Sequence, residues 1–452
     1  MWVYHARLGI VSRQSLEPQA VQGVRGIALV SRMRGRYALL ALLVVAFFFR
    51  AAQNMAQTTL GLLGREALHL GSGMIGAEAA LSAGSGLVGV YAASKVPTHQ
   101  ARRGVGVGIS LMVVSLAMFA IGGGLVVFSL AAILLGLGGG LAFPSLATAL
   151  GAAGEGARDR ALAAYGMALS ASLAVGPLVQ SAVIAAAGGS LRVGFATFAA
   201  VASLALVVLG CPRLGRAGEP GAHPRPSAGS SAPSSPPGGG SETGMMSLWR
   251  NPSWRLATLA QLLYQIPFTA IVVFGAIYAR EDFGFGTAEA SMVFVSFFIL
   301  SLIVRAGVVV KSPIRHKRAA FVISGVATLV GLVGLASARG PVELLMAMAV
   351  LGLPHALIFP VSLALVAQGV PQSRLAAANA ALAGIMTVAT VITPALMGPL
   401  AGHWGLRAMF VVVMLPVVGL VLPVSSRRAW AEMEGPGPVP EPVSGRHGDA
   451  KG

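Results

Sequence analysis

Long apolar runs separated by short polar segments make up most of this chain of 452 residues. A run of about twenty apolar residues is long enough to cross about 30 Å of hydrocarbon as an α-helix. Twelve runs of this kind predict an all-α polytopic membrane protein with twelve transmembrane helices. They cover residues 37–59, 72–94, 104–122, 126–150, 161–186, 193–210, 255–279, 288–310, 319–337, 342–367, 375–401 and 406–424.

The overall composition agrees with this prediction and excludes the main classes of soluble protein. Hydrophobic residues make up 55% of the chain and charged residues 10%, whereas soluble domains carry about 25% charged residues. So high an apolar content also excludes extended intrinsic disorder. Cys211 is the one cysteine, so no disulfide can form within the chain. The 59 glycines suit membrane helices, which approach closely where side chains are small.

The net charge of +17 follows the predicted membrane topology. With the N-terminus placed inside, 25 of the 32 basic residues fall in inner segments and 5 in outer segments. Because basic residues accumulate on the cytoplasmic side, this asymmetry predicts a multi-pass plasma-membrane protein with both termini in the cytoplasm. The basic segments then face anionic lipid, and we expect a monomer that does not bind nucleic acid. The two remaining basic residues, Arg50 and Arg305, lie inside apolar runs.

Composition also divides the chain into five parts. Residues 1–36 are polar and lack the apolar core of a signal peptide, so we expect a cytoplasmic N-terminal segment, although translation starting at Met33 is an alternative. Residues 37–210 and 251–424 each carry six predicted helices. Between them, residues 211–250 are rich in Pro, Gly and Ser, which predicts a flexible cytoplasmic linker. Residues 425–452 predict a disordered cytoplasmic tail in the same way.

The two six-helix parts resemble each other in sequence at a nearly constant spacing. A Lys-x-Pro motif and a Gly…Phe-Pro motif both recur 216 residues later, and other landmarks recur at 215 and 217. A constant offset over four landmarks predicts two parallel six-helix repeats. The matched residues are Lys95 and Pro97 with Lys311 and Pro313, Gly136, Phe143 and Pro144 with Gly352, Phe359 and Pro360, Pro177 with Pro394, and Arg192 with Arg407.

With this topology and repeat, residues 37–424 resemble the major facilitator superfamily of transporters. Gly89 and Arg102-Arg103 fit the family's cytoplasmic loop signature, although Ala93 stands at its Asp position. Gly176-Pro177 fits the fifth-helix antiporter signature, most of whose other glycine positions are replaced. The resemblance implies a fold with two six-helix halves around a central substrate site, and the replaced positions weaken the implication of proton antiport.

The first predicted helix carries a polar stripe at membrane depth. Arg50, Gln53, Asn54 and Gln57 recur at i, i+3, i+4 and i+7, so all four share one helical face. Polar groups at this depth are costly and are candidates for a functional site. The stripe predicts either a polar seam between helices or the wall of a water-filled cavity. Arg50 favours the cavity, because a guanidinium keeps its charge and requires an anion.

Glu78 is the natural internal partner of Arg50, because it alone among the 15 acidic residues lies well inside a predicted helix. The two residues lie at depths that differ by about 5 Å at 1.5 Å per residue, which predicts an ion pair between them. One interpretation is a permanent pair that fixes helix packing. The other is that Glu78 exchanges a proton, or that an anionic substrate replaces Glu78 at Arg50.

Five further polar residues are candidates for the lining of a central cavity. A lone His or Gln at membrane depth more often serves helix packing, so each remains a hypothesis by itself. Arg305 ranks lower, because it lies six residues from Lys311 and can extend toward the cytoplasmic surface. The five candidates are Gln180, Gln261, Tyr264, Gln265 and His355.

No sequence motif for a metal, a nucleotide or another cofactor is present, and we do not expect an enzyme. The favoured hypothesis is a secondary active transporter that moves a small organic molecule by alternating access. Proton coupling stays open, and efflux of an amphipathic compound is slightly favoured over uptake of a small anion. The alternative is a transport-inactive receptor or scaffold on the same fold.

Overall fold

The computed structural model describes residues 17–151, 155–211, 245–310 and 316–434, and it is helical almost throughout. The first six long helices lie within 17–209 and are called the N-terminal group. They are α1 (Glu17–Leu68), α2 (Ser72–Lys95), α3 (Ala101–Ile121), α4 (Leu125–Gly151), α5 (Glu155–Ala186) and α6 (Leu191–Leu209).

The remaining long helices lie within 252–425 and are called the C-terminal group. Short helices, Met245–Arg250 and Arg427–Glu434, stand before and after it, and one-turn 3₁₀ helices occur at Thr98–Gln100 and Glu289–Ser291. The long helices are α7 (Pro252–Phe283), α8 (Met292–Val310), α9 (Lys317–Ser337), α10 (Pro341–Gly369) and α11 (Gln372–Ser425).

Local sequence signals set several of these helix ends. Asn251 caps α7 by accepting a hydrogen bond from the amide of Trp254 at 3.0 Å, and Pro252 follows at the first helical position. At its other end Gly284 takes the left-handed conformation with φ 70°, which ends the helix. Ser190 caps α6 in the same way as Asn251 caps α7.

Helix α11 is too long for a single membrane crossing. At 1.5 Å per residue its 54 residues would extend about 80 Å, against about 30 Å of hydrocarbon. The helix breaks at Gly405, where φ is 84° and ψ is 164°. This break falls between the predicted helices 375–401 and 406–424. In the described part of the chain, eleven helices qualify as membrane spans by length and composition, and the predicted count of twelve depends on the break in the last one.

The prediction of an all-α membrane protein is confirmed, and the first apolar span begins at Tyr37, as predicted. Helix α1 itself begins earlier, at Glu17, because the polar sequence before the span continues the helix. Most of the predicted linker, residues 212–244, lies outside the described residues, as do 1–16 and the tail from 435 onward.

Contacts between the two groups involve a small set of helices. Helix α2 packs along α11, α1 against α7, and α5 against α8. The closest approach is at Gly76 of α2, where a side-chain Cβ would collide with the carbonyl oxygen of Pro394 and lie 2.9 Å from the Cα of Gly398. Only glycine permits backbones to pass this closely. The two groups therefore meet tightly at one end of the bundle and leave space between them elsewhere.

Candidate functional site

A cavity of about 280 Å³ lies between the two groups of helices. We call the end of the bundle where α1 meets α2 the Arg65 end, and the opposite end the Lys95 end. The cavity extends toward the Lys95 end, where Val90 and Phe143 line it and are 45% and 40% exposed. All four residues of the α1 stripe line its N-terminal wall, because their spacing places them on one face: Arg50, Gln53, Asn54 and Gln57.

Arg50 is the cation on the cavity wall. Its Nη1 donates a hydrogen bond to Oε1 of Gln53 at 2.8 Å. Within the described residues no carboxylate pairs with it, and its Nε and Nη2 have no hydrogen-bond partner. The guanidinium therefore presents unused donors at membrane depth, next to a cavity.

The predicted ion pair between Arg50 and Glu78 is not formed. Glu78 is 5% exposed and its Oε1 accepts a hydrogen bond from Oγ of Ser129 on α4 at 2.5 Å. Similar depth did not bring the two residues together, since α2 turns this side chain toward α4. Oε2 of Glu78 is buried without a partner, and the residue lines a small cavity that it shares with Gln57. Glu78 is thus separate from Arg50 and adjoins the far end of the polar stripe.

The C-terminal wall of the cavity carries no charged residue among those described and mixes apolar side chains with an amide and several threonine hydroxyls. Phe268, Val272 and Val273 of α7 line it. Gln265 supplies the amide on this wall, and its Nε2 donates to Oγ1 of Thr390 at 2.8 Å. The cavity therefore combines one cationic wall with one uncharged wall that is partly apolar.

Tyr264 and His355 form a pair beside the cavity. The hydroxyl of Tyr264 is hydrogen-bonded to Nδ1 of His355. The imidazole is surrounded by the rings of Phe268, Phe297 and Phe298, with centroids 5.1–5.6 Å away, and its Nε2 has no partner. Two of the sequence candidates thus meet between α7 and α10, behind the C-terminal wall.

Arg305 was expected to extend toward the cytoplasmic surface, and this prediction is wrong. Its Nη1 donates to Oγ of Ser170 on α5 at 2.8 Å, and its Nη2 donates to the backbone oxygen of His355 at 3.0 Å. Its Nε is buried without a partner. The residue points into the interface because hydroxyl and carbonyl acceptors are within reach there. It is therefore a central arginine that joins the two groups of helices.

Two other sequence candidates lie away from the cavity. Gln180 is fully buried near the Arg65 end, where its Nε2 donates to Oγ of Ser291 at 2.6 Å and to Oγ1 of Thr59. It links α5 to α1 and to the 3₁₀ helix that precedes α8. Gln261 of α7 is 1% exposed, and its Nε2 has no hydrogen-bond partner among the described residues.

Reciprocal ion pairs hold the groups together at the Arg65 end. Arg65 pairs with Glu281 at 2.7 Å, and the neighbouring Glu66 pairs with Arg280. Thr287 also donates to Glu66, at 3.2 Å. We call these four charged residues the latch. The sequence analysis missed it, although Arg-Glu occurs at the end of both helices with the offset of 215 found for the other landmarks.

Comparison with known proteins agrees with this architecture. The sequence matches the family model of the Major Facilitator Superfamily over residues 39–338, and the chain belongs to this family. A search of curated proteins finds no match to the sequence.

Solved transporters show the same fold at low sequence identity. A mutant of the peptide transporter POT is 17% identical with a TM-score of 0.67, covering 86% of this chain and 93% of that chain. A mutant of the nucleoside transporter NupG is 15% identical with a TM-score of 0.65, covering 86% and 98%. A bacterial homolog of the human lysosomal transporter Spinster, in an inward-facing and unoccupied conformation, is 12% identical with a TM-score of 0.61, covering 88% and 97%. The chain therefore has the fold of a multi-pass transporter of this superfamily.

Proposed function

We propose that this protein is a secondary active transporter that moves a small organic molecule across the plasma membrane by alternating access. The observation that carries the proposal is a cavity between two groups of helices that are held together at the Arg65 end. Movement of one group against the other around this cavity would expose it first at one end and then at the other.

The latch supports such a movement because its ion pairs are easily broken. Its side chains are 26–42% exposed, and ion pairs in contact with water contribute about 0–1 kcal/mol each. Separation of the groups at this end would therefore cost little in electrostatic energy, and the lost contacts are replaced by water.

We further propose that Glu78 carries a coupling proton. A carboxyl group at membrane depth is rare, and here one oxygen has a hydroxyl donor while the other has no partner. Gain and loss of a proton would change the charge next to the α1 stripe, which connects protonation to the state of the cavity. Because most of the residues that line the whole cavity are apolar or glycine, we favour export of an amphipathic compound over uptake of a small hydrophilic anion.

The movement is tested by labelling from each side of the membrane. In a Cys211→Ser background, Leu60→Cys places a thiol in the cavity near the latch. We expect a membrane-impermeant maleimide to react with it from either side of a proteoliposome. Reaction from one side only, under all conditions of pH and candidate ligand, would contradict alternating access and favour the receptor or scaffold.

Coupling is tested by transport under an imposed pH gradient. Radiolabelled organic compounds are offered to proteoliposomes, and we expect the Glu78→Gln variant to lose the response to the gradient. Glu289→Gln is the matched control, because it makes the same chemical change at an exposed carboxylate. If Glu78→Gln responds to the pH gradient as the unmodified protein does, Glu78 does not carry the coupling proton.

Orientation is tested with reporter fusions. We propose that the Lys95 end and both termini face the cytoplasm, so a fusion after Arg103 gives a cytoplasmic signal and one beside Arg339 an external signal. The opposite result would invert the direction of transport proposed here.

A further inference from the structure

We infer that the transported molecule is an organic anion with an apolar body, and that Arg50 binds its anionic group directly. Arg305 contributes a second positive charge to the same region from the other group of helices. This inference rests on the proposed transport function and names the class of substrate. A carboxylate and a phosphate monoester share the required chemistry of a compact oxyanion, which a guanidinium binds through paired hydrogen bonds.

The first argument is the lack of a counter-charge at the centre of the bundle. Glu78 is the acidic residue at membrane depth in the described helices, and it is bonded to Ser129. Among the residues that the structure describes, Arg50 and Arg305 are bonded to neutral groups alone: an amide, a hydroxyl and a carbonyl. Two partly buried positive charges at membrane depth with no carboxylate beside them are costly, and a bound anion would offset part of that cost.

The second argument is that the two charges act on the same place. Arg305 on α8 donates to the backbone oxygen of His355, whose ring is hydrogen-bonded to Tyr264. Tyr264 directly precedes Gln265, which lines the cavity together with Arg50. Attraction between charges strengthens as the surroundings exclude water. An anion at the Arg50 wall is therefore attracted by both groups of helices at once, although only Arg50 lines the cavity.

The third argument is the remaining lining of the cavity. Apart from the α1 stripe, it presents mostly aromatic, aliphatic and glycine surface, including Phe143, Phe268 and Val272. An inorganic anion would leave this surface in contact with water, whereas an apolar body would cover it. One end of the ligand is thus anionic and the other apolar.

The test measures binding, without transport. Radiolabelled 2-naphthoate is titrated onto the purified protein, with unlabelled 2-naphthamide, 2-naphthyl phosphate and inorganic phosphate as competitors. We expect saturable binding of 2-naphthoate, little competition from the neutral amide or from inorganic phosphate, and competition by 2-naphthyl phosphate if the site accepts either oxyanion. Absence of saturable binding at millimolar concentration, or equal competition by the amide, would overturn the inference.

Four variants separate a direct contact from an effect of charge. Arg50→Gln should weaken binding by about 100-fold, and Arg50→Lys by about tenfold, because lysine keeps the charge but loses the paired geometry. Arg305→Gln should weaken binding by about threefold to tenfold, whereas Arg305→Lys should stay close to the unmodified protein because it preserves the charge. Arg407→Gln is the matched control, since this arginine pairs with Asp282 within the C-terminal group.

The outcomes distinguish this inference from the proposed function. Each variant is measured after size-exclusion chromatography, so that a misfolded variant is recognised, and the lysine variants supply the result if a glutamine variant does not fold. Arg305→Lys is expected to bind 2-naphthoate normally. If Arg50→Lys also binds it as tightly as the unmodified protein, Arg50 makes no paired contact with the anion. If the protein binds 2-naphthoate as described but Leu60→Cys reacts with maleimide from one side only, the inferred anion site is supported and the proposed transport function is contradicted.

Discussion

Arginines occupy both the closed Arg65 end of the bundle and its centre, yet their surroundings differ. At the closed end, Arg65, Arg280 and Arg407 each face a carboxylate and are 27–45% exposed. In the centre, the acceptors that Arg50 and Arg305 contact within the described part of the chain are all neutral. At the closed end, carboxylates of the chain itself balance the arginine charges and hold helices together. In the centre, the arginine charges are not balanced by a carboxylate of the described residues, which is the property expected of a site that binds an anionic substrate.

The two sets of arginines also differ in where along the bundle they link the two groups of helices. The latch connects residues at helix ends that separate when the groups move. Arg305 instead reaches from α8 to Ser170 of α5 near the middle of the bundle, so it links the groups where a movement around the cavity displaces them least. Removal of charge should therefore affect substrate binding in the centre and the balance of conformations at the end.

The largest expected effect is on Arg50. We predict that Arg50→Gln lowers transport by about 100-fold, because loss of one partner of a desolvated charge contact costs about 2–5 kcal/mol. Initial rates in proteoliposomes, normalised to the amount of inserted protein, measure it. Arg407→Gln should retain transport within about twofold, since surface pairs contribute little. Equal losses in both variants would mean that the centre and the end do not differ in the way described.

A smaller effect is expected at the close contact of α2 with α11. We predict that Gly76→Ala destabilises the closed Arg65 end by about 1–3 kcal/mol, because the added methyl group overlaps the Pro394 carbonyl. The measurement is the distance between spin labels at Ala67→Cys and Val342→Cys in the Cys211→Ser background. We expect a population with a longer distance.

Gly84→Ala is the matched control on the same helix, because nothing lies within 4 Å of the added Cβ. Its distance distribution should equal that of the unmodified protein. If Gly76→Ala also leaves the distribution unchanged, backbone packing at this contact does not hold the end closed.

The smallest effect is expected at the latch. Arg65→Gln combined with Arg280→Gln removes two exposed ion pairs, and we predict a shift of about 1 kcal/mol toward the open Arg65 end. The same spin-label pair reports it, and high salt should reduce the difference from the unmodified protein. Exchange of the charges in one pair, Glu66→Arg with Arg280→Glu, should restore the closed population. If Arg407→Gln shifts the spin-label distance by a similar amount, the effect does not depend on ion pairs that link the two groups of helices.

Helical periodicity explains how much of the site was predictable. The spacing of Arg50, Gln53, Asn54 and Gln57 places them on one face wherever α1 lies, and all four line the cavity. The position of Glu78 along α2 was equally clear, but its rotation toward Ser129 was not. A one-dimensional pattern gives depth and relative angle within one helix, and it contains nothing about which neighbour that face meets.

The sequence by itself determined the membrane class, the order of helices and the superfamily, because twenty-residue apolar runs have few alternatives in a bilayer. It also contained the latch residues, as an Arg-Glu dipeptide that recurs 215 residues later. Only the tertiary structure decided that the latch residues pair crosswise, that Arg50 has no carboxylate partner and that Arg305 crosses to Ser170. These contacts depend on how helices distant in sequence are rotated and packed, and that is set by close backbone approaches such as the one at Gly76.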